Sequence, residues 1–278
     1  MINTQYVKAP NLTVQVGDEV FAYRELGKRE GIPVVFFVHL AGTLDNWDPS
    51  VIDGIAKSRW VITFDNLGVG LSSGKVPESI RQMAIDALTF VHAIGIEKMD
   101  VLSFSMGGMI AQELIEMEPH IVNKLILAGT GPRGGVGIEN VTKLADRDTI
   151  RAILTLKDVK TYLFFTRTKN GKQKAREFLL RLKKRQEERD KTINLKAYRT
   201  QLRAINKWGL AAPADLSKIS VPTLIVNGDD DRMVPTINSY ELNKRISGSQ
   251  IIIYEDAGHG GIFQNHDDFV TNALEFLQ

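Results

Sequence analysis

Apolar residues fall along this chain in two kinds of grouping. Short, nearly continuous apolar runs alternate with longer stretches in which apolar residues recur every three or four positions. Residues 12–16 and 19–24 flank Gly17-Asp18, which predicts an antiparallel hairpin. Pro33-Val34-Val35-Phe36-Phe37-Val38 is apolar throughout, as expected for a strand buried on both faces of a sheet. Further short strands are predicted at 60–64, 99–103, 124–128, 222–226 and 250–254. Between them, Ile80, Met83, Ala84, Ala87, Leu88 and Val91 share one helical face. Ile110, Leu114, Ile115 and Met117 share another, stopped by Pro119. Strands that alternate with helices predict an α/β fold, with a mostly parallel eight-stranded sheet covered by helices on both sides. The alternation fails between residues 134 and 213, where the pattern is helical and no strand is evident. The predicted organisation is therefore a core over 1–133, a helical cap over 134–213 inserted after the sixth strand, and the rest of the core over 214–278.

Composition narrows the chemistry. Hydrophobic residues make up 43% of the chain, enough for a globular core, and the net charge of +2 points to neither nucleic acid nor membrane. The chain has no cysteine, which excludes disulfides, thiol catalysis and thiolate metal sites and is compatible with a reducing cytoplasm. No signal peptide and no membrane span are evident, so a cytoplasmic protein is expected.

The candidate chemistry centres on Ser105. It stands in Val101-Leu102-Ser103-Phe104-Ser105-Met106-Gly107-Gly108, between a strand pattern and a helix pattern. A serine at a sharp strand-to-helix turn projects its hydroxyl away from the backbone, beside the free N–H groups of the helix start. Two later segments each follow a predicted strand: Asn227-Gly228-Asp229-Asp230-Asp231-Arg232-Met233-Val234-Pro235 and Asp256-Ala257-Gly258-His259-Gly260.

With these motifs in order, the chain resembles the α/β-hydrolase superfamily over nearly its whole length. His39-Leu40-Ala41-Gly42 stands where that family has a His-Gly oxyanion motif, and residues 64–72 stand where it has Asp-x-Arg-Gly-x-Gly-x-Ser. The resemblance implies Ser105 as nucleophile, Asp231 as acid and His259 as base, with the backbone N–H groups of Leu40 and Met106 forming an oxyanion hole. It implies no cofactor and no metal. Two positions depart from the family pattern: Leu67 replaces a frequent Arg, and Ser103 replaces Gly at the elbow. Leu40, for Gly, keeps its N–H but adds bulk above the site.

Other residues compete for these roles. Asp229 and Asp230 are rivals for the acid, but the spacing from Gly228 to Pro235 favours Asp231, leaving the other two as turn formers. His266 precedes Asp267-Asp268 and reads as a helix start, which leaves His259 as the base. His92 and His120 read as solvated or structural, and His39 as a brace for its loop. Gly129-Thr130-Gly131-Pro132-Arg133-Gly134 matches a dinucleotide fingerprint, but Pro132 and the glycines that follow suit a loop. Residues 167–191 carry 11 Lys/Arg against 4 Asp/Glu. An apolar face of Ala175, Phe178, Leu179 and Leu182, with the i,i+4 pairs Glu177–Arg181, Lys183–Glu187 and Lys184–Glu188, makes this a solvated lid helix rather than a nucleic-acid patch. Within Tyr162-Leu163-Phe164-Phe165, the residues Phe164 and Phe165 are candidates to face Ser105 and shape the acyl pocket. The alternative is that they pack inside the cap.

The expected activity is hydrolysis of a small or medium acyl compound, a carboxylic ester first, through a Ser105 acyl-enzyme. The expected partner is that small-molecule substrate, with no nucleic acid and no membrane. Oligomeric state is left open. An amidase, C–C bond hydrolase or perhydrolase using the same residues is the alternative enzyme, and a receptor-like binding protein of the same fold is the alternative outside catalysis.

Overall fold

The protein is described from a computed structural model over residues 5–278. The strands are β1 (Leu12–Val16), β2 (Glu19–Leu26), β3 (Val34–Phe37), β4 (Val61–Phe64), β5 (Met99–Phe104), β6 (Val122–Ala128), β7 (Thr223–Gly228) and β8 (Gln250–Tyr254). They form one eight-stranded sheet in the order β1-β2-β4-β3-β5-β6-β7-β8. The pairings β1–β2 and β2–β4 are antiparallel, and every pairing from β4 across to β8 is parallel. Each expected strand is present within two or three residues of its expected bounds. The reason is burial: β3, β4, β5 and β7 are buried at every position, so their sequences are mostly apolar and do not alternate.

The helices are α1 (Pro49–Ala56), α2 (Ile80–Ala93), α3 (Met106–Met117), α4 (Val141–Thr155), α5 (Lys160–Leu163), α6 (Lys169–Leu182), α7 (Leu195–Leu210), α8 (Ile237–Arg245), α9 (Gly261–Gln264) and α10 (His266–Leu277). α1 packs against α10, and α2 packs against α3. The helices α4 to α7 lie between β6 and β7. Side-chain caps start several helices, with Ser79 accepting from Gln82 N, Thr168 from Gly171 N and Asn194 from Ala197 N. Each such cap stabilises its helix by about 1 kcal/mol. Among the described residues no helix is long and apolar enough to cross a membrane.

The basic stretch 167–191 corrects one expectation. Its apolar face does turn inward, with Ala175 and Phe178 buried. The charges behave differently. α6 ends at Leu182, so Lys183–Glu187 and Lys184–Glu188 are not helical neighbours. Glu177 bonds Gln173 and Lys174 instead of Arg181. Arg181 places Nε and Nη2 on the carboxylate of Asp48 at 2.6–2.9 Å and also donates to the Phe263 carbonyl. Arg185, 6% exposed, donates to the carbonyl of Ala9 at 2.8 Å. Both arginines therefore act as internal anchors rather than as a solvated face. Asp48 is fully buried. Removing its partner strands an uncompensated carboxylate, so Arg181→Met is expected to destabilise the protein by about 3–5 kcal/mol. Urea unfolding measures this, and a loss below about 1 kcal/mol, the range of an exposed pair, would show the ion pair to be dispensable.

Candidate active site

Ser105 sits between β5 and α3 with φ 58° and ψ −119°. A residue with a Cβ pays for a positive φ with roughly 1–3 kcal/mol of strain, and such strain concentrates at functional sites. The turn is held by Ser105 N donating to Ala128 O at 2.9 Å and Gly108 N donating to Ser105 O at 2.9 Å. Position 107 must be glycine, because a Cβ there would lie 2.0 Å from the Phe37 carbonyl oxygen. Position 103 tolerates serine because its hydroxyl donates to the Ile126 carbonyl on the neighbouring strand at 2.7 Å.

The loops after β7 and β8 meet this turn. His259 Nε2 lies 2.8 Å from Ser105 Oγ, and His259 Nδ1 lies 2.8 Å from Asp231 Oδ2. A carboxylate can only accept, so Nδ1 carries the proton and Nε2 presents its lone pair to the serine hydroxyl. The other oxygen of Asp231 accepts from Met233 N at 2.8 Å and Val234 N at 3.0 Å. All three side chains are buried. Such a chain can draw a proton from a serine hydroxyl as the oxygen attacks an electrophile.

Asp229 and Asp230 lie outside this chain and are exposed. Asp229 does more than form its own turn. Its carboxylate accepts from Asp256 N at 3.2 Å and Ala257 N at 3.1 Å, tying the β7 loop to the loop that carries His259. Glycine at 228 lets the two loops touch, since a Cβ there would lie 2.1 Å from Ala257 O.

His39-Leu40-Ala41-Gly42 forms the loop after β3. His39 Nδ1 donates to Leu40 O at 2.8 Å, and the ring packs edge-on against Phe104 and Phe164. Burial pushes its imidazole down to about 3, so His39 is neutral and braces the loop. Ala41 is left-handed at φ 60°, and its N–H donates to Gln201 Oε1 at 2.8 Å. Among the described residues, the backbone N–H groups of Leu40 and Met106 have no protein acceptor.

Phe164 and Phe165 are both buried but differ in what they touch. The Phe164 ring centroid is 5.6 Å from that of His259, and the Phe164 carbonyl accepts from Gly260 N at 2.7 Å. Phe165 packs on Phe178 at 5.5 Å. Phe164 therefore buttresses the histidine loop, while Phe165 belongs to the packing of the inserted helices.

The remaining motifs fall outside the Ser105 chain. Asp65, in the 64–72 motif, accepts from Leu44 N and Leu71 N at 2.9 and 3.0 Å and so binds two loops together. Burial, and Asp190 beside it, hold its carboxyl well above the usual carboxylate range. Leu67 is half-buried against the core. The 129–134 glycine motif is a loop, with Gly131 O accepting from Gln112 Nε2. His266 begins α10 and pairs with Asp267. His92 pairs with Glu118, and His120 is exposed. No cluster of metal-ligating side chains occurs among the described residues.

Sequence reasoning missed Gln201 and Asp256. Asp256, at φ 48°, accepts from Thr166 Oγ1, Thr168 Oγ1 and Asn170 Nδ2 at 2.9–3.0 Å, which joins the start of α6 to the histidine loop. The Asn170 bond, with those of the threonines, holds its carboxyl below the usual range. No local signal marks Asp256. Gln201 does leave one: it is a polar residue on the buried face of α7, in line with Ala197, Ala204, Ile205 and Trp208.

Comparison with known proteins places this arrangement. The family model for the alpha/beta hydrolase fold matches residues 32–266. The chain belongs to the α/β-hydrolase family. An alpha/beta hydrolase fold protein from Chitinophaga pinensis superposes with a TM-score of 0.94 at 36% identity, over 98% of both chains. A 2-hydroxy-6-oxononadienedioate/2-hydroxy-6-oxononatrienedioate hydrolase of Klebsiella pneumoniae is 31% identical, over 84% of this chain and 80% of its own length. A 2-hydroxy-6-oxo-6-(2'-aminophenyl)hexa-2,4-dienoic acid hydrolase of Metapseudomonas resinovorans is 28% identical, over 95% of this chain and 89% of its own. These two α/β-hydrolase relatives are hydrolases by name.

Proposed function

We propose that this α/β-hydrolase cleaves small or medium, uncharged acyl compounds, carboxylic esters first, through an acyl-enzyme on Ser105. The observation that carries this reading is the unbroken chain Ser105 Oγ–His259–Asp231, with both links at 2.8 Å. In the first half-reaction Ser105 Oγ bonds to the carbonyl carbon and its proton passes to His259 Nε2. The carbonyl oxygen becomes an oxyanion, met by the N–H groups of Leu40 and Met106. Each such donor stabilises the transition state by roughly 3–4 kcal/mol. The intermediate collapses, the C–O bond to the alcohol breaks, and His259 returns the proton to the leaving oxygen. Water then repeats the sequence on the acyl-enzyme, releasing the acid and free Ser105. Asp231 holds the imidazole tautomer and stabilises its cation.

On this reading residues 134–213 form a cap over the site, consistent with Phe164 against His259 and Gln201 against the oxyanion loop. The nearby cations are paired or turned to solvent: Lys160, the cap cation whose charge reaches His39, lies 3.7 Å from the Asp158 carboxylate. Arg167 and Lys169 are exposed, and Arg232, beside Asp231, is paired with Asp148 at 3.0 Å and with the Tyr162 carbonyl. Nitrophenyl esters from acetate to octanoate, compared with a succinate half-ester, test this. The expected kcat/KM series is graded, since one methylene in an apolar pocket is worth only about 1–3 kcal/mol, and the anionic ester is expected to be the poorer substrate. A preference for the anionic ester that Arg167→Gln or Lys169→Gln abolishes would overturn the apolar-pocket reading. The names of the Klebsiella and Metapseudomonas relatives favour a second reading, hydrolysis of a C–C bond beside a ketone with the same three residues. Faster turnover of a vinylogous diketone acid than of any ester would select it.

A further inference from the structure

Gln201 is fully buried on α7, on a face otherwise made of Ala197, Ala204, Ile205 and Trp208. A long polar amide there costs free energy unless both of its ends are satisfied. One end is: Oε1 accepts from Ala41 N at 2.8 Å. That bond also fixes which way the amide faces, because a backbone N–H requires an oxygen opposite it. The NH2 group is therefore the end left over, and it is a buried donor with no partner among the described residues. In a well-packed protein an unpartnered buried donor calls for a partner, a bound water or a ligand. Its place is specific. Ala41 adjoins Leu40, whose N–H also lacks an acceptor among the described residues and stands on the oxyanion loop. Consecutive Cα atoms are about 3.8 Å apart, so Gln201 grips this loop one residue from the Leu40 N–H.

We propose that Gln201 is a specificity residue whose NH2 donates to a neutral oxygen of the substrate's acyl part. The preferred substrates are then oxygen-bearing acyl compounds, such as alkoxy-, keto- or lactone-type esters, rather than plain alkanoates. The proposal rests on the hydrolase reading and narrows it. A donor-only group gains nothing from a methylene and repels no neutral ether or keto oxygen, so it discriminates between acyl chains of equal size. The Oε1 bond to Ala41 would at the same time make the oxyanion loop sensitive to whether this donor is engaged.

The test compares isosteric nitrophenyl esters, methoxyacetate with butanoate and 3-methoxypropanoate with pentanoate, in the wild type and in Gln201→Met. The electron-withdrawing oxygen raises intrinsic ester reactivity equally for both proteins. The readout is therefore the oxygen-to-alkyl ratio of kcat/KM, taken within each preparation so that any loss of folded protein cancels. The ratio is expected to fall about tenfold or more in the variant for at least one pair. An unchanged ratio would overturn the proposal, whether activity on both series is preserved or falls together; a joint fall would mean that Gln201 only positions the loop. Failure of the wild type to turn over either series, with Ser105 unlabelled by a fluorophosphonate, would instead overturn the hydrolase reading and this proposal with it.

Discussion

Ser105→Ala is expected to lower ester turnover by about 10⁶, leaving only what binding and the oxyanion donors supply. Fold and yield should survive. Alanine carries the same Cβ as serine, so the strain at φ 58° is unchanged. Gly107 still passes the Phe37 carbonyl, and the elbow hydrogen bonds are made by backbone atoms. The loss falls on one contact, Ser105 Oγ to His259 Nε2, which a water can replace. Kinetics on nitrophenyl acetate, with a thermal unfolding scan of both proteins, check the two halves of the prediction. Mass spectrometry after fluorophosphonate treatment adds a direct reading: the label belongs on Ser105, and an adduct on another serine would refute the nucleophile assignment.

Asp231→Asn is the second large effect, expected at about 10⁴ in turnover with little change in stability. The geometry dictates how the amide must sit. Met233 N and Val234 N both donate to Oδ1, so the asparagine oxygen is held there. Its NH2 then faces His259 Nδ1, where the carboxylate oxygen accepted a proton before. A donor at that point forces Nδ1 to be the lone pair and moves the imidazole proton to Nε2, which can then no longer take the serine's proton. Asp229→Asn supplies the contrast. It keeps one of two acceptors for the amides of Asp256 and Ala257 and leaves Asp231 untouched. Its expected cost is about tenfold, through a looser histidine loop. Reversal of the two phenotypes in kcat would make Asp229 the acid.

The sheet and the Ser105 chain were legible in the sequence for local reasons. A strand buried on both faces needs an unbroken apolar run, so 33–38 and 222–226 announced themselves. A strand-to-helix turn so close to another backbone that a Cβ at 107 would lie 2.0 Å from the Phe37 carbonyl oxygen needs a small residue at a fixed offset, so Ser103-x-Ser105-x-Gly107 was readable within five positions. The order of Ser105, Asp231 and His259 could be matched to a family because each stands just after its own strand.

What only the tertiary structure decided is how distant segments choose partners. The lysines and arginines of 167–191 suggested i,i+4 pairs because a helix brings such residues together wherever it lies. Arg181 instead finds Asp48, 133 positions earlier, because α6 packs near α1 and, among the described residues, no other cation pairs with this buried carboxylate. Asp256 finds Thr166, Thr168 and Asn170, and Gln201 finds Ala41 160 positions away, for the same kind of reason. A serine in place of glycine at 103 looked like a weakened motif until its hydroxyl was seen to bond the carbonyl of Ile126 on the next strand. Periodicity and spacing report forces that act within one turn or one strand. The polar groups that tie the inserted helices to the loops of the core are fixed by where those helices come to rest, and each takes as partner whatever backbone or carboxylate it meets there.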